Sequence, residues 1–403
     1  MSGRRFPALI AFLAALAPAR LVAQGDDSAS QESRRRPGHR ALNLGVSETG
    51  LSIGNSERWN GIRINWQDNS VDRVNGLNLT LWNAKHNEDM VVNGFALGVA
   101  GPVGGRFNGL TVGIVGAVAE QGFTGATLAG IAAVSNGDTH GLTIAGLAVV
   151  SNGDLEWVNV AGLGTVANRS MRGLNIAGLG LVANNDLQGF NVSGLGTVAN
   201  RNMRGVNVAG LATVANRDLQ GINIAGLATV ANRELWGLNV GGLAVVGNGS
   251  VRGLSLGGLA VVSNGMVDGV HFGGLAVVGN RGMRGAAASG LAVVSTGPIT
   301  GVAVGGLAVV GAEGITGIGI GGVHVEGRWI HGLAISPIRT RTWELRGVSI
   351  AGYNRLKGDQ FGLAIGVYNY ARRLHGVQLG LINNARNNKG LLRVLPLINV
   401  HLD

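Results

Sequence analysis

Any chemistry on this chain has to start from a few residues. Asp68 and Asp72 share one polar stretch, and residues 85–89 add Glu88 and Asp89. Grouped carboxylates of this kind serve as general acid and base in glycoside cleavage, and parallel β-helices host such enzymes. Solvated loops fit the four residues better, so a polysaccharide-active enzyme is the weakest of the readings considered. A second break in the pattern falls at residues 339–344. The eight histidines (His39, His86, His140, His271, His324, His331, His375 and His401) show no HExxH or Cys-His spacing, and the chain has no cysteine. His271 reads as an exposed member of a repeated column. GIGIGG at 317–322 belongs to the repeat's own glycine grid rather than to a dinucleotide loop. Asp138 and Asp154, each in SNGD, lack the G-G-x-G-x-D frame of calcium-binding repeats and read as turn residues. No catalytic, cofactor or metal residue is assigned, and no cofactor is expected.

The rest of the chain is built for repetition. GLATVAN occurs at 210–216 and again at 226–232. From Gly109 to Gly317 one glycine grid has a period of sixteen, with Trp157 the single replacement. Calling that glycine position one, position six is also Gly, position seven Leu and position ten Val in nearly every unit. Position twelve is Asn ten times running: Asn136, Asn152, Asn168, Asn184, Asn200, Asn216, Asn232, Asn248, Asn264 and Asn280. Position three holds Asn159, Asn175, Asn191, Asn207, Asn223 and Asn239. Looser units flank the grid, which divides the chain into irregular β repeats (41–108), regular repeats (109–331) and shorter repeats (332–403).

Composition agrees with a repeat protein. Gly supplies 71 of 403 residues and Pro only 7, so neither collagen nor a disordered linker fits. Residues 1–24 have the layout of a secretory signal peptide, with Arg4 and Arg5 before an apolar run too short to span a bilayer. Residues 25–40 read as a flexible polar linker. The net charge is +10; with the seven cations and three acids up to residue 40 set aside, the body carries about +6.

A fixed short period marks units that bury their apolar faces only against one another. Two glycines per sixteen residues, with Val, Thr and Asn, make poor helices, and the alternation in LNIAG is a strand signal. The expected fold is an all-β solenoid of sixteen-residue coils with atypical capping ends. Like residues then stack about 4.8 Å apart. Position twelve forms a structural turn ladder of asparagines. Gly at position six makes an uncrowded corner, and the apolar position fifteen turns inward. Position three becomes a flat, exposed polar file, the candidate binding ladder. The alternative is an outer-membrane antiparallel β-barrel, with positions two, four, six, eight and ten facing lipid and Asn, Ala and Thr facing the lumen. Sparse aromatics and equal connection lengths favour the solenoid.

GVQLGLINNARNN (376–388), GLAIGVYNYARRLHG (362–376) and the closing LPLINVHLD resemble the G-x-Q-x-G-L-x-N units of bacterial surface-repeat proteins of spirochaetes and other Gram-negative genomes. The resemblance implies an envelope location and no particular activity. Together these features lead us to expect an exported, envelope-associated structural or adhesin-like binding surface, not an enzyme. It would reside in the periplasm, the outer membrane or the cell surface. A barrel pore or transporter is the alternative. Fitting partners are envelope polysaccharide, a lipid surface or another copy of the chain, with no nucleic acid and no small-molecule cofactor.

Overall fold

The computed structural model describes residues 40–402; the signal-like segment 1–24, the linker up to residue 39 and Asp403 lie outside the described residues. Strand accounts for 77% of the structure, and the one helical element among the described residues is a 3-10 turn at Gly390–Arg393. The fold is therefore all-β, and its strands are laid out as a solenoid. Two compact units are distinguished: one runs to Val134 and takes in Ala145–Ala148, the other holds Ser135–Ile144 and everything from Val149 onward.

In the second unit a regular coil has two strands. Leu155–Ala161 is followed by a corner at Gly162 and Leu163, then Gly164–Ala167, then a turn over residues 168–170, after which Met171–Ala177 opens the next coil. Each strand pairs in parallel with its counterpart sixteen residues on, so Asn159 lies beside Asn175 and Val166 beside Val182. Two parallel sheets result, one of seven-residue strands and one of four-residue strands. A barrel needs antiparallel neighbours; the parallel register here rules that alternative out.

The two glycine positions have different causes. At position one the backbone adopts φ between 96° and 126°, a region L side chains avoid. A Cβ on Gly205 would also lie 2.1 Å from the carbonyl oxygen of Gly189 in the preceding coil. Trp157 takes the same conformation at φ 83° with its ring 70% exposed. At position six φ is ordinary, but a Cβ on Gly210 would meet the carbonyl oxygen of Gly194 at 1.8 Å. The corner is thus too tight for any side chain.

Positions three, five, nine, eleven and fifteen face inward. Leu155, Met171, Leu187, Met203, Leu219 and Leu235 at position fifteen are fully buried, as expected. Opposite them lie Ala and Thr, for example Ala199 and Thr213. The interior is narrow and only partly apolar. An antiparallel strand, Val394–His401, lies along the last coil, with Gly376 beside His401.

The first unit has less regular coils. Arg58–Asn69, Arg73–Lys85, Val91–Gly98, Val103–Gly113 and Gly116–Ala129 stack in parallel, with Gly61, Gly76, Gly94, Gly109 and Gly125 in register. Ala41–Val46 lies antiparallel to Thr49–Gly54. Its apolar core centres on Met90, Val74 and Val92, with the Phe107 and Phe123 rings stacked 5.7 Å apart.

Candidate functional site

The expected binding ladder is not on the surface. Asn159, Asn175, Asn191, Asn207, Asn223 and Asn239 are fully buried between the two sheets. From Asn159 to Asn223 each Nδ2 donates to the Oδ1 of the next asparagine along the chain, at 2.8–2.9 Å, and the series ends at Asn239, whose Nδ2 turns to the Gly237 carbonyl. Position three was expected outside because it is polar. It is tolerated inside because identical amides in register satisfy one another, which removes most of the cost of burial. These residues cannot form an exposed docking face. His271, expected on the surface in the same column, is 1% exposed, and neither ring nitrogen has a hydrogen-bond partner. Burial holds its pKa below the usual histidine range, against an opposing pull from Asp268.

The turn ladder is on the outside. From Asn152 onward each Nδ2 donates back to the Oδ1 of the asparagine one coil earlier, from Asn136 through Asn280, at 2.5–3.2 Å. Further columns escaped the sequence reading. In the first unit Asn60, Asn75, Asn93 and Asn108 are bonded in series at 2.7–2.8 Å. In the last coils Asn354, Asn369 and Asn383, all buried, are linked at 2.7 Å. Two of these are the Asn of the G-L-x-N-like units, and their common spacing after the grid glycine was the available signal.

The four early carboxylates do not assemble. Asp68 is buried, not in a solvated loop, and pairs with the fully buried Arg63. Thr80 donates to Asp68 at 2.6 Å and Asn78 at 3.1 Å. Burial by itself would raise the Asp68 pKa, but Arg63 and these donors outweigh it and keep the group below the usual carboxylate range. Asp72 pairs instead with Arg58 at 2.5 Å on the surface, and Glu88 and Asp89 are exposed. With its lone pairs occupied, Asp68 serves as a structural ion rather than a proton-transfer group.

Two features of the second unit remain as candidates. The first is a segregation of charge. Between Trp157 and Thr316 every Asp, Glu, Lys and Arg lies at positions thirteen, fourteen or sixteen. These groups form a polar rim, with pairs such as Arg172–Glu156 at 2.6 Å, Arg252–Glu234 at 3.5 Å and Arg233–Asp218 at 3.8 Å. Asp218 thus pairs one coil onward, with Arg233, and Asp186 accepts from the Asn202 amide at 3.1 Å. The outward positions two, four, seven, eight and ten are apolar. Leu179, Leu195, Leu211, Leu227 and Leu243 along the corner are 43–46% exposed.

The second feature is a groove of about 1160 Å³ in the last coils. Here charge enters the outer face of the short-strand sheet, at Glu326 and Arg341, which pair at 3.4 Å. Trp343 is 54% exposed. Lys357 lies over its ring, 5.7 Å from the centroid. Trp329 lies flat over Gly314, where a Cβ would come within 2.4 Å of three of its ring atoms. The sequence break at 339–344 thus forms one wall of this groove. Comparison of the chain with family models, with curated proteins and with solved structures yields no match.

Proposed function

We propose that this protein is an exported, envelope-associated solenoid that acts as a non-enzymatic binding surface, held at a membrane by its apolar corner. The observation that carries this reading is the confinement of every charge in ten successive coils to one edge. The apolar side extends from position two to position six, about 13 Å at 3.3 Å per residue, close to half of a bilayer core of about 30 Å. Over nine coil spacings of about 4.8 Å its two faces present roughly 1100 Å². That exceeds the largest patch, of about 300–600 Å², that a typical monomer leaves open.

Lipid suits this edge better than a second copy does. The edge is a convex wedge, apolar on both faces, and a like wedge cannot cover both at once. Hydrocarbon requires every backbone group to be bonded within the protein. At the corner this is met coil to coil, as in Leu211 N to Leu195 O at 2.8 Å and Gly210 N to Ser193 O at 3.1 Å. Trp157 and Trp236, 70% and 55% exposed on the rim, have the amphipathic character of interfacial anchors. Arg169 and Arg233, about as exposed at 61% and 63%, can meet anionic headgroups. The resemblance to envelope repeat proteins and the signal-like N-terminus support the same location.

The test is flotation of the full mature chain with phosphatidylcholine–phosphatidylglycerol vesicles, alongside the triple variant Leu211→Glu/Leu227→Glu/Leu243→Glu. The wild type should float and the variant should remain in solution with an unchanged far-UV spectrum. A wild type that ignores vesicles yet dimerises through the same leucines would give the face to a second copy and overturn the lipid reading.

A further inference from the structure

We infer that the groove of the last coils is a binding site for an acidic polysaccharide, a polymer of hydroxyl-rich rings carrying spaced carboxylates. This inference is independent of the membrane reading, since the groove lies where the uncharged corner pattern has ended.

Three properties of the groove select that ligand class. The first is a surplus of positive charge. Arg328, Lys357 and Arg372 line the groove and make no ion pair among the described residues, whereas Arg341 and Arg373 pair with Glu326 and Asp359. Burial against neighbours, then Arg341 and Arg355, hold Lys357 below the ordinary lysine range, with Glu326 pulling the other way. Such crowding of cations is relieved when an anion binds.

The second property is aromatic. Trp343 and Trp329 stand on adjacent coils, and each offers a broad face with a polar edge, the shape of surface that takes the apolar face of a ring and leaves its hydroxyls free. Gly314 gives the Trp329 ring a bare backbone to lie on. The third is the presence of acids in the same groove. Glu326, Glu344 and Asp359 line it beside the cations. Carboxylates accept hydrogen bonds from hydroxyls and repel closely spaced anions. Duplex nucleic acid carries about one charge per 1.7 Å, so these acids act against it. A chain with one carboxylate per ring can place its charges on Arg328, Lys357 and Arg372 and its hydroxyls on the acids. Five successive coils contribute, so the groove runs for about 19 Å along the stack, four spacings of about 4.8 Å. That favours a polymer over a single sugar.

The experiment measures retention of the full mature chain, without lipid, on immobilised polygalacturonate, with dextran as the neutral polymer and polyphosphate as the ring-free polyanion. Polygalacturonate should bind in a salt-dependent way and dextran should not. The variant Lys357→Gln/Arg372→Gln should weaken polygalacturonate by about tenfold or more and flatten the salt dependence, as loss of charge contacts does. Trp343→Ala should weaken polygalacturonate by a similar factor while leaving any binding of polyphosphate unchanged. Retention of β structure is checked by far-UV spectra for both variants. The inference is overturned if polygalacturonate is not retained at low salt. It is equally overturned if Trp343→Ala has no effect and polyphosphate binds as tightly, which would make the groove a plain sink for anions.

Discussion

The placement of the position-three asparagines inside the coil is best tested on Asn207. Its Oδ1 accepts from Asn191 and its Nδ2 donates to Asn223, both at 2.8 Å, and the side chain is fully buried. Asn207→Ala leaves the Nδ2 of Asn191 and the Oδ1 of Asn223 without partners in a closed interior. Each orphaned group costs about 1–3 kcal/mol, so the pair costs roughly 2–6 kcal/mol. The comparison variant is Asn200→Ala in the exposed turn ladder, where Asn200 donates to Asn184 and accepts from Asn216 at 2.9 and 3.0 Å. Water replaces both partners there, and exposed substitutions of this kind usually stay within about 0.5 kcal/mol. The two variants remove the same side chain and the same number of ladder bonds, so only burial separates them. Urea unfolding followed by far-UV circular dichroism gives the midpoints. Because each coil touches only its neighbours, amide hydrogen exchange should show the loss of protection concentrated in the coils that carry Asn191, Asn207 and Asn223. Equal midpoints for the two variants would refute the argument.

The remaining expectations concern single residues. Trp157→Gly should raise stability by about 1 kcal/mol in urea unfolding: it relieves a non-glycine φ of 83°, worth about 1–3 kcal/mol, and gives back roughly 0.5–1 kcal/mol in glycine entropy. Arg63→Met should destabilise the first unit by about 3–5 kcal/mol by leaving Asp68 buried and unpaired, read as lost exchange protection around residues 63–80. His271 is buried next to Ser255 and Ala287 in register, and its pKa is lowered on folding. The folded chain therefore binds this proton less readily than the unfolded one. Stability is full above the unfolded value of about 6.5 and falls with decreasing pH below it, by at most about 1.4 kcal/mol per unit. His271→Ala should flatten that slope between pH 6.5 and 5; an unchanged slope would assign it elsewhere.

The stack of parallel coils was legible because its cause is purely sequential. A period of sixteen lets a chain bury apolar surface by laying like residues over like, and Gly at position six and the apolar position fifteen fall where that requires. What misled was polarity as a guide to sidedness. Position three looked external because it is amide-bearing, while positions two, four and ten are aliphatic. Yet Asn207 is buried, and Ile222 and Ile224 are 40% and 37% exposed. The sidedness considered for a barrel, with apolar residues out and Asn, Ala and Thr in, describes this solenoid correctly although the barrel's strand directions do not. An amide bonded to its own kind above and below needs no water, so its burial depends on register and cannot be judged from one residue's hydropathy. The groove was half legible: residues 339–344 stood out as a break, but their juxtaposition with Lys357 and Arg372 depends on coils shortening from sixteen residues to fifteen and fourteen.

The register of one coil on the next has a consequence for how such a molecule changes length. Asn207 pairs with Asn223 and Gly205 with Gly221 as Asn191 pairs with Asn207 and Gly189 with Gly205. Excising residues 205–220 would bring together two surfaces that already match, and duplicating them would insert a rung with the same joints above and below. Either event alters the stack of coils in the second unit by about 4.8 Å and leaves its cross-section as it was. Slippage of the coding sequence by forty-eight nucleotides, a multiple of three, would be absorbed without a repair elsewhere in the chain.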